Sequence, residues 1–545
     1  MSQHQQHERA AQAATPAHAS THPHEHHTEP HAPLTTASAM VDGTDPGLTK
    51  KGLSAGSVGL IGAIVIGISC IAPAYTLTGA LGPTVAEVGT QLPAIFLLGF
   101  IPMLLVAFGY RELNSAMPDS GTSFTWATRA FGPWLGWMGG WGLIAATVVV
   151  LSNLAGIAVE FFYLAVSQVV GFFGGDAAAV ADLVGNPFVN VATCLVFILG
   201  ATLISYRDMQ TTQKVQYWLV GFQLLVMIAF GVAAFWHVAN GTAFDATPVE
   251  LSWFNPFEVG SFSAVVAGLS VSLFVFWGWD VTLTMNEETK GSRTTPGKAA
   301  TLTVSIVVAI YLFVAMGALA FAGVGTSGVG LGNEAIQENA FFYLAGPVLG
   351  PLAIFMSIAV LSSSAASLQS TFVSPARTLL AMGHYGALPQ KFATVSPRFF
   401  TPGYATVVAA IVAAVFYTIM RFVSDEVLWD TIQTLGMMIC FYYGITAFAC
   451  VWFFRRTLFA SARNVFFRLI APLVGGTILA VLFFTTLIDS MDPAYGSGSN
   501  IFGLGLVFVL GMVILLSGVV VMFWQRWKRP AYFRGETLSR AVAED

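Results

Sequence analysis

The sequence predicts an all-α membrane protein of twelve transmembrane helices, and three observations predict it. First, only 9% of the 545 residues are charged while 55% are hydrophobic. Soluble domains carry about 25% charged residues, so a water-soluble fold of this length has too little polar surface to cover its apolar side chains. Second, twelve stretches of at least 20 residues contain no Asp, Glu, Lys or Arg: 52–86, 88–110, 130–159, 183–206, 215–244, 259–279, 299–333, 339–376, 399–420, 431–454, 469–488 and 493–525. Each is long enough to cross about 30 Å of hydrocarbon as a helix. Third, the ten-residue alternation of a membrane β-barrel is absent.

Ahead of the first span, residues 1–50 hold eight of the ten histidines, including "HPHEHH" at His22–His27. A segment so poor in apolar residues cannot form a core, and a disordered His-rich cytoplasmic tail is expected. The tract lacks cysteine and regular ligand spacing, so no metal site is assigned to it. Residues 51–527 form the twelve-helix domain and 528–545 a C-terminal tail. The even span count puts both termini on one side. Of the 23 Lys and Arg residues, 22 lie on that side and only Arg421 lies opposite. The positive-inside rule makes that side cytoplasmic, in a multi-pass protein of the plasma membrane. The opposite loops keep acids such as Asp245, Glu250, Glu334 and Asp489. These read either as a vestibule that attracts cations or as the residue of a bias against Lys and Arg. The net charge of −5 gives no reason to expect a nucleic-acid partner. Cys70, Cys194, Cys440 and Cys450 all lie inside apolar runs and read as packing thiols.

Two spans are interrupted. Span 1 reads "GAIVIGISCIAPAYTLTGALGP" over 62–83. Pro73 removes a backbone donor and disfavours helical geometry at Ala72. Span 6 runs into "FVFWGWDVTLTMNE", Phe274–Glu287, where a glycine between two tryptophans precedes an aspartate. An aspartate at the centre of a membrane helix costs roughly 2.5–3.5 kcal/mol. Asp280 is placed to offset that cost as the N-cap of a second half-helix. It is equally placed to titrate, or to pair with a substrate amine. Spans 1 and 6 occupy matching positions if the first ten helices form two halves of five. Paired interruptions in matching positions point to a transporter built from inverted repeats, with its substrate held near the midplane by half-helix ends.

Four motifs in order then carry a resemblance. "MPDSGTSFTWATRAFGPWLGWMGGW" (Met117–Trp141), "FVFWGWD" (Phe274–Asp280), "EETKGSRTTPGKA" after it and "RTLLAMGHYGALP" (Arg377–Pro389) resemble conserved segments of the amino acid–polyamine–organocation (APC) permeases. The resemblance implies a LeuT-like core of 5+5 inverted repeats plus two C-terminal helices, with helices 1 and 6 interrupted. It implies that the backbone around Ser69, Cys70, Ile71 and Ala72 receives a substrate carboxylate. Carbonyls near Phe274, Val275 and Trp277 would receive the amine, with Phe274 as an aromatic gate and Trp277 lining the pocket. Asp280, Gln223 and Ser363 are the candidates for the coupling ion. Gln223 stands where some proton-coupled members carry lysine, and Ser363 lies in the helix-8 serine run where sodium-coupled relatives of the fold bind Na⁺. The chain departs from the pattern at "ISCIAPA" (Ile68–Ala74), at Thr122, Phe124 and Trp126, and at His384 and Tyr385.

The function expected is secondary transport of an amino acid or related organic amine by alternating access, coupled to protons, with sodium as the other candidate ion. A polyamine or ethanolamine-type permease, or an amino-acid exchanger, is the alternative within that class. A nutrient receptor without net transport is the alternative outside it, although the chain has no sizeable soluble domain to carry a signal. No HExxH motif and no intramembrane His/Asp metal cluster is present, so neither an enzyme nor a cofactor is expected.

Overall fold

In lipid every backbone N–H and C=O must be satisfied within the chain, and helices do this throughout the protein. The computed structural model describes residues 51–423 and 427–543; the expected tail of residues 1–50 lies outside them. The helices are α1a (Leu60–Ile71) and α1b (Pro73–Val88), α2 (Leu92–Ala116), α3 (Pro133–Phe172), α4 (Pro187–Ser205) and α5 (Met209–Ala239). They continue with α6a (Phe262–Val275) and α6b (Val281–Thr284), α7 (Thr295–Ala322), α8 (Ala353–Thr371, continued by Val373–His384) and α9 (Gly403–Val423). The last are α10 (Val427–Phe453), α11 (Ala471–Asp489) and α12 (Leu506–Lys528). Among the described residues the only strands are two short ones, Asn500–Ile501 and Leu504–Gly505, in the loop before α12.

Among the described residues, ten helical stretches are long and apolar enough to cross a membrane. The first, Leu60–Ala116, has 57 residues, which as one straight helix would run about 85 Å. It contains two passes, separated at Gly89, whose φ is +60°. The 14-residue α6a is too short by itself and completes its span with the segment through α6b. Twelve passes result.

Contacts between loops divide them into the two sets that the basic residues define. At one end, Asn114 in the last turn of α2 donates to the carbonyls of Ser292 and Arg293 before α7. At that same end Arg463 and Arg468 before α11 pair with Glu112, and Thr401 before α9 donates to the Tyr206 carbonyl after α4. At the other end Arg421 reaches the Gly185 carbonyl before α4, and Asn339 before α8 reaches Glu160 of α3. The outward faces stay apolar: Trp218 is 82% exposed and Val520 68%, as lipid-facing side chains are.

α1 lies at the centre, against α5, α7 and α8, and α6a packs between α1b, α2 and α10. α3 lies behind α8 and α10, and α11 packs on α10 and α2. The two interrupted helices are thus enclosed by continuous ones, where their freed backbone groups find polar partners.

Candidate functional site

The break in helix 1 falls at Ala72, in left-handed geometry with φ 57° and ψ 63°. This conformation costs a non-glycine residue about 1–2 kcal/mol. Pro73 enforces the break and is itself comfortable as the first residue of α1b. The freed groups are then accounted for mostly by one stripe of α8. Ser367 donates to the Cys70 carbonyl at 2.9 Å, and Ser363 accepts the Tyr75 N–H at 3.3 Å. Ser69 and Ser370 share a hydrogen bond at 3.1 Å, and the Cys70 thiol meets Thr371 at 3.5 Å. Residues 363, 367, 370 and 371 recur at helical spacing, so one face of α8 splints the break. Among the described residues no hydrogen bond engages the Ile71 carbonyl or the Ala74 N–H.

Helix 6 breaks between Val275 and Val281. Gly278, with φ +111°, lies directly against helix 1: a Cβ there would stand 3.0 Å from the Cys70 carbonyl carbon and oxygen and 3.1 Å from the Ile71 nitrogen. The two interruptions therefore touch through backbone, and a glycine is what lets them approach. Ser69, Cys70, Ile71 and Ala72 on one chain segment and Phe274, Val275, Trp277 and Asp280 on the other flank this contact in sequence, and all eight are buried. Of the carbonyls expected to receive an amine, that of Phe274 accepts the Trp277 N–H at 3.0 Å, while among the described residues no hydrogen bond reaches those of Val275 and Trp277. Phe274 stands edge-on to Tyr75 of α1b, with ring centroids 6.0 Å apart.

Asp280 corrects one expectation. Its φ of −69° and ψ of −14° are already helical, and its side chain makes no capping bond. An N-cap needs extended geometry to turn its oxygen back onto the following N–H groups. Instead the carboxylate, 2% exposed, accepts from the Tyr442 hydroxyl at 3.2 Å, and Tyr442 in turn accepts from the Trp277 indole at 2.6 Å. Among the described residues no Lys, Arg or His forms an ion pair with it. Nearby, Tyr110 packs edge to face on Trp279 and on Tyr443 of α10, and Tyr443 lies tilted against Trp279 and Tyr442, with centroids 4.5–5.5 Å apart.

The remaining ion candidates are placed differently. Ser363 belongs to the splint just described. Gln223 is fully buried on α5, and neither end of its amide has a hydrogen-bond partner. No hydrogen bond joins it to Asp280. Among the described residues no group of three His, Cys, Asp or Glu side chains could hold a metal ion.

At the end where the basic loops gather, a buried ionic cluster closes over α1a and α6b. Lys51 pairs with Asp119 at 2.7 Å and with Glu287 at 2.6 Å. Tyr385 donates to Asp119 at 2.6 Å, and Glu287 also accepts the Ser120 N–H at 3.0 Å. Arg377 grips Glu288 through two bonds of 2.8 and 3.0 Å. The strand-like segment at Val58 pairs with Glu288 and Lys290, tying the entry of α1a to the exit of α6b. Burial opposes the Lys51 charge, but Asp119 and Glu287 outweigh it and hold the ammonium above the usual lysine range. Burial likewise opposes the Asp119 charge, and Lys51 with the hydrogen bonds from Lys51, Tyr385 and Thr125 brings that carboxyl down from 3.8 to about 2. A depressed carboxyl contributes its full stability above its ordinary value and loses it only as pH falls through the folded one. Lys51 and Asp119 therefore keep their charges across the range in which cells work.

A family model described as amino acid permease matches residues 57–525. The chain belongs to that family. This amino acid permease is a secondary transporter and not an enzyme, in keeping with the resemblance to APC permeases. It is 24% identical to the branched-chain amino acid permease BcaP of Lactococcus lactis, over 59% of this chain and 67% of that protein. It is 23% identical to the low-affinity putrescine importer PlaP of Escherichia coli, over 78% of this chain and 87% of that one. A methylthioribose transporter of Bacillus subtilis is 23% identical, over 64% of this chain and 72% of its own length. Among solved structures, MhsT in complex with L-phenylalanine superimposes with a TM-score of 0.54 at 16% identity, covering 80% of the permease and 99% of that chain. This last likeness speaks for the LeuT-like fold.

Sequence reasoning missed the partners of the permease's break residues: Ser367, Ser370 and Thr371, the tyrosine pair at 442–443, and the Lys51 cluster. The polar stripe of α8 was legible as i, i+4, i+7, i+8 spacing. The Lys51 cluster had no local signal, because its members lie up to 334 positions apart, from Lys51 to Tyr385.

Proposed function

We propose that the permease imports an amino acid or a related organic amine across the plasma membrane by alternating access, driven by protons, with both termini in the cytoplasm. One observation carries this reading: the two chain breaks meet, presenting unengaged N–H and C=O groups of helices 1 and 6 beside a buried carboxylate that has no cation. The Ala74 N–H at the start of α1b suits a substrate carboxylate, since a helix N-terminus carries partial positive charge. The carbonyls of Val275 and Trp277, with Asp280, suit an ammonium. Asp280 without a cation partner is costly to keep ionised in a dry site, so its charge is carried when a proton leaves or an amine arrives. The amine reading of the substrate draws further support from the putrescine importer among the relatives.

Two closures follow. Phe274 with Tyr75 covers the site toward the acidic loops, and the Lys51 cluster closes the cytoplasmic side. The deciding experiment is reconstitution in liposomes with a labelled panel of amino acids and polyamines under imposed proton or sodium gradients. Accumulation of one of them that follows the pH gradient supports the reading; accumulation that follows sodium alone, or binding without accumulation, overturns it.

Phe274→Ala should insert normally and weaken substrate binding by roughly tenfold, the equivalent of about 1.4 kcal/mol of lost aromatic contact. Binding measured at the wild-type value would leave Phe274 a packing residue. For orientation, a cysteine at Ser461 should react with an impermeant reagent only from the cytoplasm, and one at Ser327 only from outside. The reverse pattern would invert the topology.

A further inference from the structure

Residues 530–543, beyond the last membrane helix, are fastened along the face that carries the Lys51 cluster. Tyr532 is fully buried; its ring stacks on Phe124 at 5.5 Å, and its hydroxyl bonds to Thr128 at 2.9 Å and to the Pro133 carbonyl at 3.1 Å. Phe533 packs on Trp134 and Trp137. Further on, Arg129 donates to the Ser539 carbonyl and accepts the Ala541 N–H on its own carbonyl at 2.9 Å, and the Ala543 N–H bonds to the Phe453 carbonyl at the end of α10. One segment thus spans the entry to α3 and the end of α10, and it also reaches the end of α8.

The point that gives this strap a function is Tyr385. Thr537 donates to the Tyr385 carbonyl at 2.7 Å, and the Tyr385 hydroxyl donates to Asp119, the partner of Lys51. Phe124 lies between the two tyrosines, 6.4 Å from Tyr385 and 5.5 Å from Tyr532. The strap therefore holds Tyr385, whose hydroxyl fixes Asp119 and whose ring centroid lies 5.4 Å from the Lys51 ammonium. Opening this side requires Lys51 and α1a to leave Asp119, and an Asp119 already fixed in place by Tyr385 makes the closed pair more stable. Apolar burial of Tyr532, Phe533 and Leu538 supplies the anchoring.

We infer that the C-terminal segment is a regulatory strap that biases the permease toward the state closed on the Lys51 side, and that detaching it speeds opening there. The inference rests on the Lys51 cluster being a gate. Val58 is buried in that closure, so a cysteine at Val58, in purified protein in lipid nanodiscs, reports opening by its rate of thiol labelling. The four native cysteines are all buried and provide the background. A chain ending at Arg529 should label at Val58→Cys several-fold faster than the full chain. The double variant Thr537→Ala/Leu538→Ser leaves Tyr532 and Phe533 docked, so it decides the matter if the shorter chain fails to accumulate; it too should label faster. Asp119→Asn is the control for the gate itself. If Asp119→Asn speeds labelling and the strap variants do not, the strap is overturned and the gate stands. If none of them does, both are overturned.

Discussion

Gly278→Ala should abolish transport while the chain still inserts and accumulates. The new Cβ would enter at 3.0 Å from the backbone of Cys70 and 3.1 Å from that of Ile71, closer than such atoms sit without movement. Neither neighbour is the free end of a side chain, and Cys70 is further held by Ser367. The φ of +111° adds strain, because L side chains avoid that region. The two breaks would have to separate by a few tenths of an ångström while the backbone at residue 278 leaves its positive φ. Where a misplacement of about 1 Å costs about a hundredfold, even part of that shift weakens the site strongly. Initial uptake of the transported solute, normalised to protein in the membrane, checks it. Uptake within twofold of wild type would mean that the contact between helices 1 and 6 does not shape the site.

Asp280→Asn should remove proton-driven accumulation while stability stays level or rises. Asparagine keeps the size and can still accept from Tyr442, but it cannot ionise or attract a cation. Being neutral, it is also cheaper to bury. Asp280→Glu restores the charge at a longer reach and should recover part of the activity. The measurement is accumulation against an imposed pH gradient together with thermal unfolding of the purified protein. The capping alternative is already weakened, since the side chain makes no capping bond; full accumulation by the Asn variant would remove the charge from the mechanism as well.

Which parts were legible beforehand follows from how local their causes are. Pro73 acts on the residue next to it, so the break at Ala72 could be placed to the residue. Gly278 announced the second break for the same reason, although nothing nearby in sequence said that it would lie against Cys70. Asp280 was recognised as anomalous from its cost in lipid, and two roles stayed open for it: a cap, because the segment after it looked like a helix start, or a group that titrates or pairs with an amine. The choice between capping and hydrogen bonding to Tyr442 depended on where α10 lies, 162 residues away. The C-terminal segment gave still less warning. "AYFRGETL" reads as an ordinary polar tail after a membrane helix, and only the grooves beside Phe124 and Trp137 make its aromatic pair an anchor.

The sequence by itself determined the solvent, the number of passes, the positions of the two interruptions and the sorting of loops into a basic and an acidic set. Each of these is set by quantities summed over a contiguous stretch: apolar length against bilayer thickness, a proline's effect on its neighbour, charge counted loop by loop. The tertiary structure decided which polar group meets which. That depends on helices far apart in the chain coming within 3 Å, as Ser367 does with the Cys70 carbonyl and Tyr385 with Asp119. In a medium without water to satisfy a stray donor, those meetings are obligatory, yet no pattern along the chain records them.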